Sequence, residues 1–321
     1  MGGGEVSAAA GGVWVGIAAG LYKTLRRLQT WALGVRNLSP GNASSKFRAI
    51  HLPTMMIQRF NVLGVALSAM DLRIATEAVL EALRARRKGY VCVTGVHGVI
   101  EAQHDAGFRG ILNGAFLNTT DGMPLVWLGK RAIGRFVDRV YGPDLMLEIF
   151  RATQNTPFRH FFYGGAPGVA EELQAKLEAR FPGVTVCGTY CPPFRPLTAE
   201  EQAALAALVR EKKPDILWIG LSTPKQERFM AEYLPQLDTT LMFGVGAAFD
   251  FHSGRVRQAP RWIQRSGLEW FYSLCSEPRR LARRYLVNNP LFVLRIAGQL
   301  LGLRKYSLED ISVPKNVSAL Q

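Results

Sequence analysis

From Phe60 to about Gly254 the chain alternates short, mostly apolar runs with stretches of helical periodicity, and this alternation limits the fold more than any other feature. The apolar runs are YVCVTGV, AFLNTTDG, HFFYGG, VTVCGTY, ILWIGL and TTLMFGVGAAFDF. Between them lie LRIATEAVLEALRARR, HGVIEAQHDAGFRGILNGA, DLMLEIFRATQ, PGVAEELQAKLEARF, AEEQAALAALVREKK and QERFMAEYL. In the first of these, Leu72, Ala75, Val79, Ala82 and Leu83 fall on one helical face. A strand that is apolar at nearly every position has protein on both sides, and parallel strands need crossover helices to provide it. The expected fold is therefore α/β: a Rossmann-like, mostly parallel sheet with helices on both faces. A length of 321 residues suits one such domain with an appendage.

The pattern divides the chain into an extension (1–58), an α/β core (59–254), a basic helical appendage (255–310) and a tail (311–321). In the extension a Gly/Ala-rich start leads into VWVGIAAGLY and then KTLRRLQTW. That apolar run is about ten residues, short of the roughly twenty that span a bilayer. Its positive charges follow it, the reverse of a secretory signal. The extension is expected to be poorly ordered, the other reading being an amphipathic surface anchor.

Lys and Arg number 39 against 25 Asp and Glu, a formal charge of +14, which calls for an anionic partner. Between Arg255 and Lys305 the basic residues outnumber the acidic ones heavily, with only Glu269 and Glu277 opposing them. Aromatics (Trp262, Trp270, Phe271, Tyr272, Tyr285, Phe292) are interleaved. Leu291, Phe292, Val293, Leu294, Ile296, Leu300, Leu301 and Leu303 make the closing stretch too apolar for an exposed nucleic-acid surface. They suit a helix in a membrane interface with arginines at headgroup level. An anionic membrane is therefore the expected partner, and nucleic acid is not. The other reading packs this segment on the core or on a second copy in a homo-oligomer.

Ligands of open parallel sheets bind beyond the carboxyl ends of the strands. Four such ends stand out: Thr94 to Gly98 with His97, Thr119 to Gly122 with Asp121, Tyr163 to Gly168 with Gly164 and Gly165, and the stretch WIGLSTPKQERF. Gly164-Gly165 lets backbone approach closely, and Pro167 suits a first helical position whose free N–H groups would hold a diphosphate; an ordinary strand–helix turn likes the same residues. Asp121 is either a turn residue or a carboxylate at the mouth of the site that takes a proton from a hydroxyl. Arg139 either clamps a phosphate or is a surface charge, and Asp144 reads as a helix N-cap. In the last stretch Gln226, with Glu227 beside it, forms a site wall, while Lys225 and Arg228 are solvated. Asp250 and His252 are too few for a metal site, and no metal is expected. Cys92, Cys187, Cys191 and Cys275 form no CxxC pair and read as buried thiols in a reducing compartment. GxSxG, HExxH and Walker A patterns are absent.

The motifs VTGVHGVIEAQ, LNTTDGMPLVWLG, RVYGPDLM, FFYGGAPGVAEE, GLSTPKQE, FGVGAAFDFHSG and QAPRWIQRSGLEWFYSLCSEPRRLARRY, in this order, resemble the WecG/TagA/CpsF glycosyltransferases over residues 60 to 300. The resemblance implies an inverting hexosyltransferase with no required cofactor. Its donor would be a nucleotide sugar, usually UDP-linked, and its acceptor a polyprenyl-diphosphate-linked saccharide. It would sit in the cytoplasm, peripheral on the inner face of the plasma membrane, and serve exopolysaccharide or cell-wall synthesis. It makes Asp121 the candidate base and Thr94 a pocket residue near it. Arg139 and Gln226 become substrate contacts, and Arg280 with Arg283 or Arg284 the basic residues that reach the diphosphate. Val96-His97 stands where many members carry asparagine, which resembles the exopolysaccharide branch. The rivals are a nicotinamide-dependent oxidoreductase, disfavoured by the missing GxGxxG, and a non-catalytic membrane-associated nucleotide-binding scaffold.

Overall fold

Residues 57–308 are described by the structure, a computed structural model. The expectations for residues 1–56 and for the tail beyond 308 lie outside the described residues. An antiparallel hairpin comes first, β1 (Arg59–Val62) and β2 (Val65–Ser68), turning through Leu63 and Gly64, both at positive φ. Two positive φ values are what a two-residue hairpin turn with matching twist demands. This hairpin was not legible in the sequence, because its strands are four residues long and Leu-Gly lacks the usual Asn-Gly signal. Asn113 ties it down: its Oδ1 accepts from the Ala66 N–H at 2.8 Å and its Nδ2 donates to the Gly64 carbonyl at 3.0 Å.

Then follow α1 (Leu72–Arg84), β3 (Gly89–Thr94), α2 (Val96–His104), α3 (Ala106–Gly114), β4 (Leu117–Thr120), α4 (Met123–Ala132), α5 (Gly142–Ala152), β5 (Arg159–Gly164) and α6 (Val169–Arg180). The core closes with β6 (Thr185–Tyr190), α7 (Ala199–Lys212), β7 (Ile216–Gly220), α8 (Lys225–Tyr233), β8 (Leu241–Gly244) and α9 (Ala248–Ser253). The appendage holds α10 (Arg261–Ser266), α11 (Glu269–Ser276) and α12 (Pro278–Leu300). Strands β3 to β8 form one six-stranded sheet in the order β4-β3-β8-β7-β5-β6, with every pair parallel. The α/β expectation holds.

Burial on both faces follows from strand alternation. In β7, Leu217 and Ile219 join the apolar cluster on one face with Phe161, Tyr163 and Cys92. Ile216 and Trp218 join the other with Phe162, Phe243 and Leu241. His160 is buried too, and burial lowers its pKa to about 3, so it is neutral. Trp218 Nε1–H donates to its Nδ1 at 3.1 Å, and its other ring nitrogen lies 3.0 Å from Thr153 Oγ1.

Several local expectations are corrected. HGVIEAQHDAGFRGILNGA is two helices, broken at Asp105, whose carboxylate caps α3 at the Phe108 N–H, 2.8 Å away. TTLMFGVGAAFDF is strand only to Gly244; its AAFDF part begins α9. Asp144 is not the N-cap of α5: Tyr141 holds that position, and Asp144 in the first turn pairs with Arg261 at 2.5 Å. Pro167 lies before α6, whose N-cap is Gly168. Only Cys92 of the four cysteines is buried; Cys191 and Cys275 are exposed. Arg228 is ion-paired with Asp105.

The appendage resolves its alternatives in part. Phe292 and Ile296 of α12 are buried in the core cluster. Gln299 accepts from the Leu63 N–H at 2.8 Å and donates to the Asn61 carbonyl at 3.0 Å, fastening α12 to the hairpin. Leu294, Leu301 and Leu303 remain more than two-thirds exposed. No helix among the described residues is long and apolar enough to cross a membrane.

Phe162 is fully buried, stacked 6.0 Å from Phe150 and edge-on to Phe249 at 5.5 Å. Phe162→Ala is expected to destabilise the fold by about 3–5 kcal/mol, read from urea unfolding.

Candidate active site

At the C-terminal edge of the sheet, the segments that follow β3, β4 and β7 converge beneath the appendage. Asp121 follows the last residue of β4, and its N–H donates to the Thr94 carbonyl at the end of β3, 3.0 Å away. The neighbouring threonines hold the segment that carries Arg139: Thr119 Oγ1 donates to the Val140 carbonyl at 3.1 Å and Thr120 Oγ1 to the Asp138 carbonyl at 2.9 Å. Thr94 is buried, and its hydroxyl donates to Asn118 Oδ1 at 2.6 Å, so it shapes the floor of the cleft.

Arg139 connects the Asp121 turn to the appendage. Its Nε–H donates to the Asp121 carbonyl, and it forms an ion pair with Glu269 of α11. Its other terminal nitrogen lies 3.4 Å from Gln264 Oε1 of α10, and the guanidinium stacks 3.9 Å from the Tyr141 ring centroid. The Asp121 carboxylate itself is only loosely approached, with Oδ1 3.6 Å from Arg139. Oδ1 is closed off from solvent and has no hydrogen-bond partner among the described residues, while 31% of the side chain stays open. Burial pushes its pKa up to about 6; Arg139 opposes the rise, Glu269 adds to it, and Arg284 lowers it. The tug among these charges gives a carboxylate that titrates close to neutrality.

Gln226 and Glu227 open α8, directly after the turn off β7, and both are buried. Glu227 Oε1 accepts from Thr223 Oγ1 at 2.8 Å and from Gln226 Nε2 at 3.0 Å. This orients the Gln226 amide with its oxygen turned away from Glu227, and that oxygen has no partner among the described residues. Gln226 Oε1 lies near Gly246, where an added Cβ would stand 3.5 Å from it. Glu227 Oε2 is also unmatched, and burial raises the Glu227 pKa, eased by its bonds to Gln226 and Thr223 and by Arg284. A buried acceptor without a donor costs free energy, so a ligand O–H or N–H at this wall would recover it.

His97 sits at the start of α2 and accepts at Nδ1 from Asn288 of α12, 2.9 Å away. Burial and Arg284 lower its pKa to about 4, a backbone bond with Thr223 pulling the other way, so the ring is neutral and ties the appendage to the cleft rim. Gly164 and Gly165 both have positive φ, and a Cβ on Gly164 would meet the Gly220 backbone at 2.8 Å. Their turn is thus forced by strand packing, and the first turn of α6 already carries Glu171 and Glu172, the latter paired with Arg255 at 2.8 Å. In α12, Arg284 faces inward, close enough to act on Asp121, His97 and Glu227, whereas Arg283 is exposed. The Arg280 side chain lies outside the described residues. His252 bonds through Nε2 to the Pro143 carbonyl at 2.9 Å, and among the described residues no three His, Cys, Asp or Glu side chains gather as metal ligands.

Of the residues expected from sequence, Asp121, Thr94, Arg139, Gln226, Glu227 and Arg284 lie together, while Glu269, Gln264 and Asn288 were not foreseen. The signal for Glu269 was its isolation as one of two acids in an arginine-rich segment.

A six-stranded parallel sheet with a carboxylate, an inward-facing arginine and unmatched acceptor oxygens beyond its strand ends defines an α/β protein of Rossmann-like architecture. The chain belongs to the glycosyl transferase WecG/TagA/CpsF family, whose model matches residues 60–306. It is 26% identical over 192 residues to an N-acetylglucosaminyldiphosphoundecaprenol N-acetyl-beta-D-mannosaminyltransferase of Bacillus subtilis, covering 60% of this chain and 72% of the relative. A protein of the same description from Bacillus spizizenii is 28% identical over 196 residues, 61% of this chain and 74% of that one.

Asp121 has a folded-state pKa of about 6 against an ordinary 3.8, so its ionised form weakens the fold. Stability from this group is full below about pH 4, falls as pH rises, and is lost above about pH 6. Asp121→Asn is therefore expected to melt above wild type at pH 7.5, with the difference gone near pH 3.5, followed by calorimetry across that range.

Proposed function

We propose that the chain transfers a hexose, with inversion, from a UDP-linked donor to a polyprenyl-diphosphate-linked saccharide, the acceptor class named for its relatives. The supporting observation is the Asp121 carboxylate, held in the cleft with an unbonded Oδ1 and a pKa near 6. A base with this pKa is mostly ionised at neutral pH yet stronger than an ordinary carboxylate.

In the proposed step the acceptor hydroxyl attacks the anomeric carbon from the face opposite the nucleotide. The C–O bond to the donor diphosphate breaks as the new glycosidic bond forms, and Asp121 takes the hydroxyl proton. Proton transfer comes late, because the hydroxyl becomes acidic only as its oxygen gains positive character. Negative charge grows on the departing diphosphate, where Arg284, with Arg280 and Arg283 from the same helix, and the Gly164–Gly165 turn would receive it. Gln226 offers its amide oxygen to a sugar or base donor group, with Glu227 fixing the amide. Thr94 and His97 shape the pocket, and Arg139 holds the Asp121 turn. The chemistry assigns no step to a metal.

The proposed setting is the cytoplasmic face of a membrane, in exopolysaccharide or cell-wall polymer synthesis. The core (59–254) would carry the cleft and the appendage (255–310) would dock on anionic lipid. Support comes from the outward leucines of α12 and the arginines beside them.

The deciding experiment is UDP release from UDP-glucose, UDP-galactose, UDP-N-acetylmannosamine and their uronic acids, with a lipid-diphosphate saccharide as acceptor. One donor should be consumed with the acceptor present, and Asp121→Asn should keep donor binding while losing about 10²-fold or more in kcat. Release of UDP from none of them would favour the non-catalytic scaffold, and near-normal turnover by Asp121→Asn would remove the base. In a vesicle sedimentation assay, Leu294→Glu with Leu301→Glu should weaken binding to phosphatidylglycerol vesicles; unchanged sedimentation would remove the membrane face.

A further inference from the structure

Arg139 stands beside the candidate base without forming the close pair expected of an arginine and a carboxylate. Its Nε–H donates to the main-chain carbonyl of Asp121, and the terminal nitrogen nearest the Asp121 side chain forms the ion pair with Glu269. The distance from that nitrogen to Asp121 Oδ1 is 3.6 Å, beyond a hydrogen bond, and Oδ1 is left unbonded. Gln264 Oε1, 3.4 Å from the remaining terminal nitrogen, and the Tyr141 ring beneath the guanidinium hold the group in this pose. Glu269 and Gln264 both belong to the appendage, whose α10–α11 turn seats against α4: a Cβ on Gly267 would meet the Trp127 ring at 3.0 Å.

Take Glu269 away and only the neutral Gln264 and Tyr141 are left to hold the guanidinium back from Asp121. A bidentate arginine pair occupies the carboxylate lone pairs, favours the charged form and weakens the base. We propose that Glu269 is a positioning residue for the transfer step: by holding Arg139 from the appendage side it keeps the Asp121 carboxylate free to accept a proton. This rests on Asp121 serving as the base. It also makes that base depend on the appendage being seated, because the residue that frees Asp121 arrives with α11.

The groups that face Asp121 come from four elements. Arg139 lies on the segment leading into α5 and Tyr141 caps that helix. Glu269 comes from α11, and Arg284 and Tyr285 from α12. The β3–α2 turn presents Gly95, which brings no charge. Of these groups Tyr141 also hydrogen-bonds Glu269, so substitution at 269 acts on Tyr141 as well as on Arg139.

The test is a carbon-13 NMR titration of full-length protein with labelled aspartate carboxyls, the Asp121 signal being assigned by its loss in Asp121→Asn. Wild type should titrate with a midpoint of about 6. Glu269→Gln, which keeps the shape and removes the charge, should bring the midpoint down by about 1 pH unit or more. Glu269→Asp, with the charge on a shorter arm, should fall between the two and carries the test if the Gln variant does not fold. An unmoved or raised midpoint in the folded variants overturns the role of Glu269. With a turnover assay in hand, the acid limb of kcat/KM should move down with the midpoint while KM for the donor holds. A loss of kcat/KM with an unmoved acid limb would mark Glu269 as a simple anchor and overturn the proposal. The titration needs no substrate, so a surviving Asp121→Asn turnover would remove the base and leave the Glu269–Asp121 linkage standing as measured.

Discussion

A parallel sheet covered on both faces has no room for polar chemistry except at its strand ends, and the rest of this structure follows from that constraint. Along β3, β5, β7 and β8 nearly every side chain packs into one of two apolar clusters. The polar residues that interrupt the sheet are satisfied within it, as His160 is by Trp218 and Thr153. The unmatched buried acceptor oxygens among the described residues, Asp121 Oδ1, Gln226 Oε1 and Glu227 Oε2, all lie past the last strand residues. Three orphaned acceptors in one region mark where a ligand with donor groups belongs.

The appendage converts that region from an open sheet edge into a cleft. It is anchored at two ends, through Phe292, Ile296 and Gln299 on the core and hairpin, and through Arg139 on the Asp121 turn. Between the anchors it lowers the local dielectric, which raises the Asp121 pKa and suppresses ionisation of His97. The same helix that turns Leu294 outward turns Arg284 inward. An exposed apolar surface and an inward-facing cation thus lie on one helix.

The alternation of apolar runs and helical stretches was enough to determine the α/β class, because a strand apolar on both faces has few other solutions. The positions of Asp121 and Gln226 just past strand ends were legible as well, since polar residues that follow an apolar run fall where the strand stops. Short-range signals failed where tertiary packing chose among equals. The Leu63-Gly64 hairpin has no turn signature and exists because Asn113 and Gln299 fasten it. The AAFDF segment reads as strand by composition and becomes helix because β8 stops at Gly244. The sequence alone could not show that Arg139 is engaged by Glu269 across 130 residues, that His97 is held by Asn288, or that Glu227 orients Gln226. Charge and burial acting together set the state of each group, and burial exists only once distant segments have packed.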